Sequence, residues 1–375
     1  MTETLMRHPV APARCPTTEV VEAPDSTIRP SPRILRLGDD RTREWDEFVL
    51  SHPQGTLFHT WGWRQAVREV FPHEPVYLGA SRGARLCGAL PTFFIRSRLF
   101  GRMLVSVPYG VGGGILADDD ETAVMLLETA RREARDRGCR FLDLRSERAA
   151  VAGAPIVDRY VGFRRELPSS VEQVAAWIPR KARAAARNAR EKFGVEIRYG
   201  IEQLPLVWGL YTKNMKRLAS IAYPFTFFER LSAAFLNHCW VSAAVWRGKP
   251  VAGLVTFLFR KDVVPYFIGA GDEARKCSAA NLLYLDAVER GVAEGFRYFD
   301  FGRTRRDNAG SLDFKRFHGF EPHPLQYQRI SLTKEDAPDL SPNQRKFQLA
   351  RAVWRRLPLC ATTSLSARLA AHIPG

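Results

Sequence analysis

The sequence lacks the features that would mark a metal, disulfide or membrane protein. Its six cysteines are scattered with no C-x-x-C pair, and its eight histidines form no H-E-x-x-H motif. This spacing excludes ordinary zinc sites and argues against a disulfide framework, so we expect no metal. No run approaches 18 apolar residues, and the first residues lack the apolar core of a signal peptide. We therefore expect a cytoplasmic protein, soluble or peripheral to the inner membrane.

Acidic residues are also too few to balance the basic ones. The chain has 56 Lys and Arg against 40 Asp and Glu, a net charge of +16. Such a surplus attracts phosphate in RNA, DNA, anionic lipid or a phosphorylated substrate. The arginine preference of a GC-rich genome is the alternative explanation. A hydrophobic content of 45% is enough for a packed core, and a length of 375 residues indicates two domains or one large one.

The two halves of the chain repeat one order of elements. Each half has two predicted strands around an Arg-Gly turn, then a helix ended by glycine, then a strand ending in Asp and Arg. The turn glycines are Gly83 and Gly248, and the helix-ending glycines are Gly138 and Gly295. Glycine after a helix is typical of a left-handed C-terminal cap. The recurrence indicates a duplicated α/β unit.

We predict four segments along the chain. Residues 1–32 are rich in Pro, Thr and Ala without apolar periodicity, and are expected to form a disordered tail. The first unit is predicted at 33–165 and the second at 166–332, opened by a basic helix. Residues 333–375 are predicted to form a basic amphipathic segment, which suits either an anionic membrane surface or docking on the protein itself.

The order of elements is similar to that of GNAT-type acyltransferases, so the expected fold is α/β, with two tandem GNAT-like domains, mixed sheets and flanking helices. In that fold, backbone N–H groups at a helix N-terminus bind the pyrophosphate of an acyl-CoA. The candidate here is Arg275-Lys276-Cys277-Ser278-Ala279-Ala280. It resembles the GNAT pattern R/Q-x-x-G-x-G/A, with Ser278 in place of the first glycine. We predict that Arg275 and Ser278 contact phosphate.

Two segments carry a closer resemblance. They are "RKARAAARNAREKFGVEI", which opens the second half, and "FDFGRTRRDNAGSLDFKRFHGFEPHPLQYQ" at 299–328. Over residues 33–375 the chain resembles the FemAB family, and most of all its exosortase-associated (PEP-CTERM) branch, which is related to BioF2-like acetyltransferase domains. The resemblance implies transfer of an acyl or aminoacyl group to an amine of a cell-envelope or exopolysaccharide precursor.

The resemblance also implies the reaction partners. The donor would be an acyl-CoA or an aminoacyl-tRNA, with no tightly bound cofactor. The acceptor would be an amine-bearing saccharide or peptide, which a lipid carrier would place at the inner membrane. Contact with that membrane is then expected through residues 343–370.

The basic helix predicted within 179–195 places its arginines on one side. Arg180, Arg183, Arg187 and Arg190 align within about 80° at 3.6 residues per turn. Such a stripe can bind the phosphates of a tRNA, a CoA or a lipid-linked sugar. A solvated face of an alanine-rich helix is the alternative. No aromatic residue precedes Phe193 in this stretch, which favours phosphate contact over base stacking.

The chemistry requires a proton acceptor and donors for an oxyanion. Asp300, near the end of the last repeated strand, is the candidate base, with His318 as an alternative. Lys315 matches the lysine of the family's Phe-Lys motif, which faces phosphate-bearing substrates; a strand-edge lysine is the alternative. Arg303 is predicted to bind substrate or merely to pair locally. Tyr109, in the bend "PYGVGGG", is expected to reach a substrate unless that bend is only a structural turn.

Two other functions stay open at this point. The chain would be a nucleic-acid-binding protein if the 179–195 helix were its working part, or a non-catalytic peripheral membrane component of polysaccharide assembly. The sequence lacks a recognisable helix-turn-helix, zinc or RNP motif. The transferase hypothesis alone accounts for both the duplication and the GFEP segment.

Overall fold

A computed structural model describes residues 30–333 and 345–373, and of residues 345–348 the backbone alone. Nearly all of the tail predicted at 1–32 lies outside these residues, as does the start of the segment predicted at 333–375. Within the described residues, no helix is long and apolar enough to cross a lipid bilayer.

The strands in this part of the chain are β1 (Arg33–Arg36), β2 (Glu74–Arg82), β3 (Arg85–Ser97), β4 (Gly101–Ser106), β5 (Leu116–Ala117), β6 (Phe141–Ser146), β7 (Tyr160–Glu166), β8 (Glu196–Tyr199), β9 (Cys239–Trp246), β10 (Lys249–Phe259), β11 (Asp262–Ala270), β12 (Tyr298–Arg305), β13 (His323–Pro324) and β14 (Gln326–Ser331). The helices are α1 (Thr42–Ser51), α2 (Trp61–Val70), α3 (Asp120–Asp136), α4 (Val171–Trp177), α5 (Arg180–Glu191), α6 (Leu204–Arg217), α7 (Phe225–Ala234), α8 (Asp272–Lys276), α9 (Ala279–Ala293), α10 (Ala309–Phe317), α11 (Arg345–Arg356) and α12 (Leu359–Ala370).

These strands form two mixed sheets with the same design. The first has the order β1-β2-β3-β4-β6-β14, with β5 paired to β3, and the second has the order β13-β7-β12-β11-β10-β9-β8. Each sheet contains one parallel pair, β4 with β6 and β11 with β12; α3 lies between the strands of the first pair, and α8 and α9 lie between those of the second. The other pairs are antiparallel. The predicted α/β class with duplicated units and mixed sheets is confirmed.

The last strand of each half belongs to the other half's sheet. Strand β7 lies at the end of the first unit but pairs with β12, and β14 lies at the end of the second unit but pairs with β6. The strand just before each predicted boundary, at 165 and at 332, thus pairs with a strand of the other unit. The two boundaries stay predictions. Two crossing strands tie the units together by backbone hydrogen bonds.

Glycine and turn chemistry explain the repeated elements. Arg247 and Gly248 have φ angles of 52° and 74°, which suit a two-residue hairpin whose twist matches the strands. Gly83 has a φ of 62° in the corresponding turn between β2 and β3. Gly138 and Gly295, with φ of 62° and 77°, follow α3 and α9 in the left-handed conformation that the sequence predicts.

A shared core joins the two units. One continuous apolar cluster links α1, α2 and one face of the first sheet to α6, α7 and one face of the second. Trp61 and Trp63 of α2 are completely buried in it, and α2 packs on α7. A second cluster packs α3 against the first sheet, and a third packs α4, α5 and α9 against the second sheet.

The C-terminal segment docks on this framework through α12. The hydroxyl of Ser366 accepts from the backbone N–H of Ala222 at 3.2 Å, and the carbonyl of Ala370 accepts from the hydroxyl of Tyr109 at 3.0 Å. Thr362 and Ser366 are buried. Of the two alternatives predicted for this segment, docking on the protein therefore holds for α12. Helix α11 also contacts α6, and Arg351 donates to the carbonyl of Leu218 at 3.2 Å, but α11 leaves Leu349 (75%) and Val353 (52%) exposed.

Candidate active site

Strand β12 carries an irregularity on which the candidate site is built. Its pairing with β7 is interrupted between Asp300 and Arg303. Gly302, inside this bulge, has a φ of 64°, a conformation that glycine adopts without steric cost. Its N–H donates to the Asp300 carboxylate at 2.7 Å. The bulge thus fixes the Asp300 side chain beside the backbone of its own strand.

Lys315, on α10, holds the bulge from the other side. Its ammonium donates to the carbonyl oxygens of Phe301, Gly302 and Arg303 at 2.7, 3.1 and 3.2 Å. These contacts use all three donors of the ammonium. Burial lowers the pKa of Lys315 to about 7, and the Asp300 carboxylate opposes that effect. The structure therefore brings the predicted residues Asp300 and Lys315 together, with the lysine committed to the backbone.

A crevice beside the bulge is lined by carboxylates from both halves. Glu147, directly after β6, lies there with Asp300 and with Asp262 at the start of β11. Arg148 and Arg164 also line it, and Arg164 pairs with Asp262 at 2.7 Å. The crevice thus presents three carboxylates with two guanidinium groups around them, an environment that attracts a cationic amine.

Both central carboxylates have raised pKa values. Burial, followed by the charge of Asp300, raises the pKa of Glu147 to about 8. Burial also raises the pKa of Asp300, while the bond from Gly302 opposes the rise. A carboxylate with a pKa near neutrality is suited to exchange a proton with an amine.

Sequence reasoning missed Glu147. The signal that would have found it is the duplication, because β6 is the counterpart of β12 and Glu147 stands just past its end. His318, the alternative base, is buried among the rings of Tyr284, Phe301 and Phe314. Its Nδ1 lies 2.8 Å from the Phe314 carbonyl, and burial lowers its pKa. His318 therefore has a packing role.

The glycine-rich bend serves close packing against β6. A side chain on Gly112 would overlap the Glu147 carboxylate, and one on Gly114 would overlap Ser146. Tyr109 in the same bend is 3% exposed, and its hydroxyl lies 2.7 Å from Nε2 of His73. The structure thus places Tyr109 in the shared core and outside the crevice lining. Close packing of a structural turn, the alternative to substrate contact, accounts for the glycines of the bend.

The candidate donor site lies at the start of α9. Ser278 has a φ of 55°, so it occupies the left-handed conformation for which the GNAT pattern uses glycine. Arg275, close by, pairs with Asp272 at 3.4 Å. Burial and the charge of Arg275 lower the pKa of Arg217 on α6, which shows that the two guanidinium groups are neighbours. The first turn of α9 contains no acidic residue.

The equivalent helix start in the first unit is filled with carboxylates. Asp119 caps α3 by accepting from the N–H of Thr122 at 2.9 Å, and Asp120 and Glu121 follow in the first turn. A pyrophosphate there would meet like charge. Of the two duplicated helix starts, only that of α9 suits a phosphate.

Neighbouring carboxylates and a backbone carbonyl partly offset the charges of the arginines on α5. Its alanines at 182, 186 and 189 are buried, and α5 packs on α9. Arg183 donates to the carbonyl of Ala175, while Arg187 lies 3.8 Å from Glu191 and Arg190 lies 3.8 Å from Glu289.

Arg180 is exposed at the start of α5. None of the four arginines lines the crevice described above. The phosphate-binding role of the stripe stays a prediction.

Comparison with known proteins addresses the fold and one domain. Residues 174–316 match the family model described as an acetyltransferase (GNAT) domain. The matched stretch lies in the second half of the chain. The match includes α5, α9, the bulge and Lys315. No curated protein matches the chain.

Several solved structures share the fold. The crystal structure of FemX has a TM-score of 0.62 at 12% identity, over 85% of this chain and 100% of that one. A tandem GNAT protein from the clavulanic acid biosynthesis pathway has a TM-score of 0.52 at 14% identity, over 81% and 100%. The C-terminal DUF2156 domain of a putative lysylphosphatidylglycerol synthetase from Agrobacterium fabrum has 0.50 at 13%, over 80% and 93%. The fold is thus that of tandem GNAT proteins and of FemX.

Proposed function

We propose that the protein is an N-acyltransferase that moves an acyl or aminoacyl group to an amine of a cell-envelope or exopolysaccharide precursor. The observation that carries this proposal is the carboxylate crevice at the bulge of a GNAT-like sheet, where Glu147 and Asp300 lie together. Carboxylates attract an ammonium group, and removal of its proton makes the nitrogen a nucleophile.

The reaction assigns separate roles to the residues of the crevice. The amine nitrogen attacks the acyl carbonyl carbon and forms the C–N bond, while the bond from that carbon to the donor's leaving group breaks. Glu147 takes the proton from nitrogen when it is ionised, and its raised pKa of about 8 makes that ionised form a stronger proton acceptor than an ordinary carboxylate. Asp300 favours binding of the ammonium. Lys315 positions Asp300 by holding the three carbonyls of the bulge.

For the donor we propose an acyl-CoA whose phosphates bind at the start of α9. The left-handed Ser278, the acid-free first turn and the neighbouring Arg217 and Arg275 support this site. GNAT domains typically use acyl-CoA, and the matched stretch contains α9. Aminoacyl-tRNA is the competing donor, and contact with it would fall to the exposed arginines of α5.

The test is transfer to a panel of amines, followed by mass spectrometry. Acetyl-CoA and a charged tRNA are offered separately, with amino sugars and amine-bearing peptides as acceptors. We expect Glu147→Gln and Asp300→Asn to lower kcat/KM by roughly 10²-fold or more. The control is Glu191→Gln, whose side chain is 69% exposed on α5. Consumption of neither donor, or variants as active as the control, would contradict the proposal.

A further inference from the structure

Helix α11 turns its apolar side chains away from the protein. It packs on α6, where Arg351 donates to the carbonyl of Leu218, and the ring nitrogen of Trp354 is buried. Leu349 and Val353 are both exposed. Successive helical residues are about 100° apart, so Leu349 and Val353 lie about 40° apart, with Arg351 and Trp354 on the opposite side. A surface helix of a globular protein ordinarily has the reverse arrangement, with its apolar side chains facing the core.

The neighbouring helix α12 holds α11 at a fixed place. A two-residue link, residues 357–358, joins the two helices. Besides the bond between Ser366 and Ala222, the hydroxyl of Ser97 on β3 donates to the carbonyl of His372 at 2.8 Å. Helix α11 is thus anchored through α6 on one side and through α12 at its end. Its outward side chains therefore form a defined surface of the folded protein.

Positive charge surrounds these apolar side chains. Residues 345–375 contain five Arg and one Lys but no Asp or Glu. The side chains of Arg355 and Arg356 are exposed at the end of α11. The surface continues onto the end of α6, where Arg217 is exposed and Leu218 is 43% exposed. Exposed leucine and valine side chains within a basic surface require a partner that has both an apolar part and negative charge.

An anionic lipid bilayer has both properties at its surface. Lipid phosphates attract basic side chains, and the boundary between headgroups and acyl chains accepts apolar ones. A second copy of the chain would bring the same basic surface against itself, and the like charges would repel. A nucleic acid would bind the arginines through its phosphates but leave Leu349 and Val353 in water. The combination of charges and apolar side chains therefore favours the bilayer.

We propose that the outward surface of α11, defined by Leu349, Val353 and Arg356 and flanked by Arg355, binds the surface of an anionic bilayer. The helix would lie in the plane of the headgroups, with Leu349 and Val353 below the lipid phosphates. Long arginine side chains can reach up to those phosphates while their stems stay on the apolar side. This inference goes beyond the proposed function and does not depend on it.

The test is sedimentation of the full chain with vesicles, without donor or acceptor. One set of vesicles contains equal parts of phosphatidylglycerol and phosphatidylcholine, and the other contains phosphatidylcholine alone. We expect binding to the anionic set, about tenfold or more weaker binding to the neutral set, and a further loss when sodium chloride rises from about 0.1 M to about 0.5 M. Equal binding to both sets would overturn the part assigned to charge.

Two double variants separate the contributions of charge and apolar contact. Arg355→Gln/Arg356→Gln should weaken binding to the anionic vesicles by roughly fivefold for each charge removed. Leu349→Gln/Val353→Gln keeps every charge and should weaken it by about tenfold or more. Loss in the first variant but not in the second would show that the arginines meet a polyanion without insertion into lipid, and would overturn the bilayer assignment.

Matched pairs elsewhere on the surface serve as controls. Arg43→Gln/Arg297→Gln removes two charges from arginines that are 92% and 62% exposed. Leu50→Gln/Leu236→Gln removes two leucines that are 50% and 63% exposed. Circular dichroism checks the fold of each variant. Failure of the wild type to bind anionic vesicles, or an equal loss in the control pairs, would overturn the inference.

Sedimentation velocity without lipid tests the competing occupant. A dimer that Leu349→Gln/Val353→Gln dissociates would show that a second copy covers this surface, and would overturn the inference. The outcome is also independent of catalysis. Vesicle binding without transfer to any amine would contradict the proposed function alone, and transfer by a protein that binds no vesicle would contradict the bilayer contact alone.

Discussion

Glu147→Gln should change how stability depends on pH. The pKa of Glu147 lies at about 8 in the folded protein, against an ordinary value of 4.5. Between these two pH values the folded protein holds a proton that the unfolded chain has lost. The free energy of unfolding therefore falls as pH rises through this window, and the neutral amide of glutamine removes that fall.

The difference between the two pKa values sets the size of this fall in the free energy of unfolding. At about 1.4 kcal/mol for each pH unit, the fall reaches at most about 5 kcal/mol at pH 9. Urea unfolding of wild type and Glu147→Gln at pH 5.5, 7 and 9 measures it. We expect the variant to gain roughly 2–3 kcal/mol on the wild type between pH 5.5 and pH 9, because Asp300 and burial act only on an ionised side chain, and part of the effect is already present at pH 5.5.

Two results would refute the reasoning. Parallel dependence of both proteins on pH would show that Glu147 ionises as in a solvated peptide, and the proton-acceptor role would lose its basis. The same gain in Glu191→Gln, whose carboxylate is exposed on α5, would show a general charge effect. Glutamine keeps the shape of the protonated acid, so the comparison isolates the charge.

Three further outcomes are expected. Lys315→Ala should lower the free energy of unfolding, measured in urea, by about 2–4 kcal/mol, because three carbonyls of the bulge lose their donor. An unchanged urea midpoint would show that water replaces the lysine as the donor. Ser278→Asp should raise the KM for acetyl-CoA about tenfold with a smaller change in kcat, because a carboxylate at the start of α9 repels phosphate. An unchanged KM would show that the donor phosphates bind at another place. Leu349→Glu with Val353→Glu should abolish sedimentation with phosphatidylglycerol vesicles while Leu50→Glu on α1 does not; a wild type that stays in the supernatant would refute membrane contact.

Local chemistry made part of the fold predictable. The helices that the sequence predicts before Gly138 and Gly295 are observed as Asp120–Asp136 and Ala279–Ala293, and both glycines have a positive φ. These features depend on neighbours in the chain, which a single sequence records. The duplication was predictable for the same reason, since each copy keeps its own turns and caps.

The rest depends on contacts between distant segments. The pairing of β14 with β6 joins residues far apart in the chain, and no turn signal specifies it. Glu147 acquires its raised pKa from burial and from Asp300 in the other half. Lys315 was predictable as a residue of the site, whereas its three carbonyl partners depend on the bulge, which appears only when β12 pairs with β7.

The duplicated units have diverged in a way that assigns them different tasks. The start of α9 keeps a left-handed turn without acids, whereas the start of α3 is capped by Asp119 and followed by two more carboxylates. The first unit is therefore unsuited to a donor phosphate at the equivalent place. We infer that the second unit binds the donor, while the first contributes Glu147 to the carboxylate crevice. The exchanged strands β7 and β14 join the two sheets by backbone hydrogen bonds, which keeps Glu147 of the first unit beside Asp300 of the second.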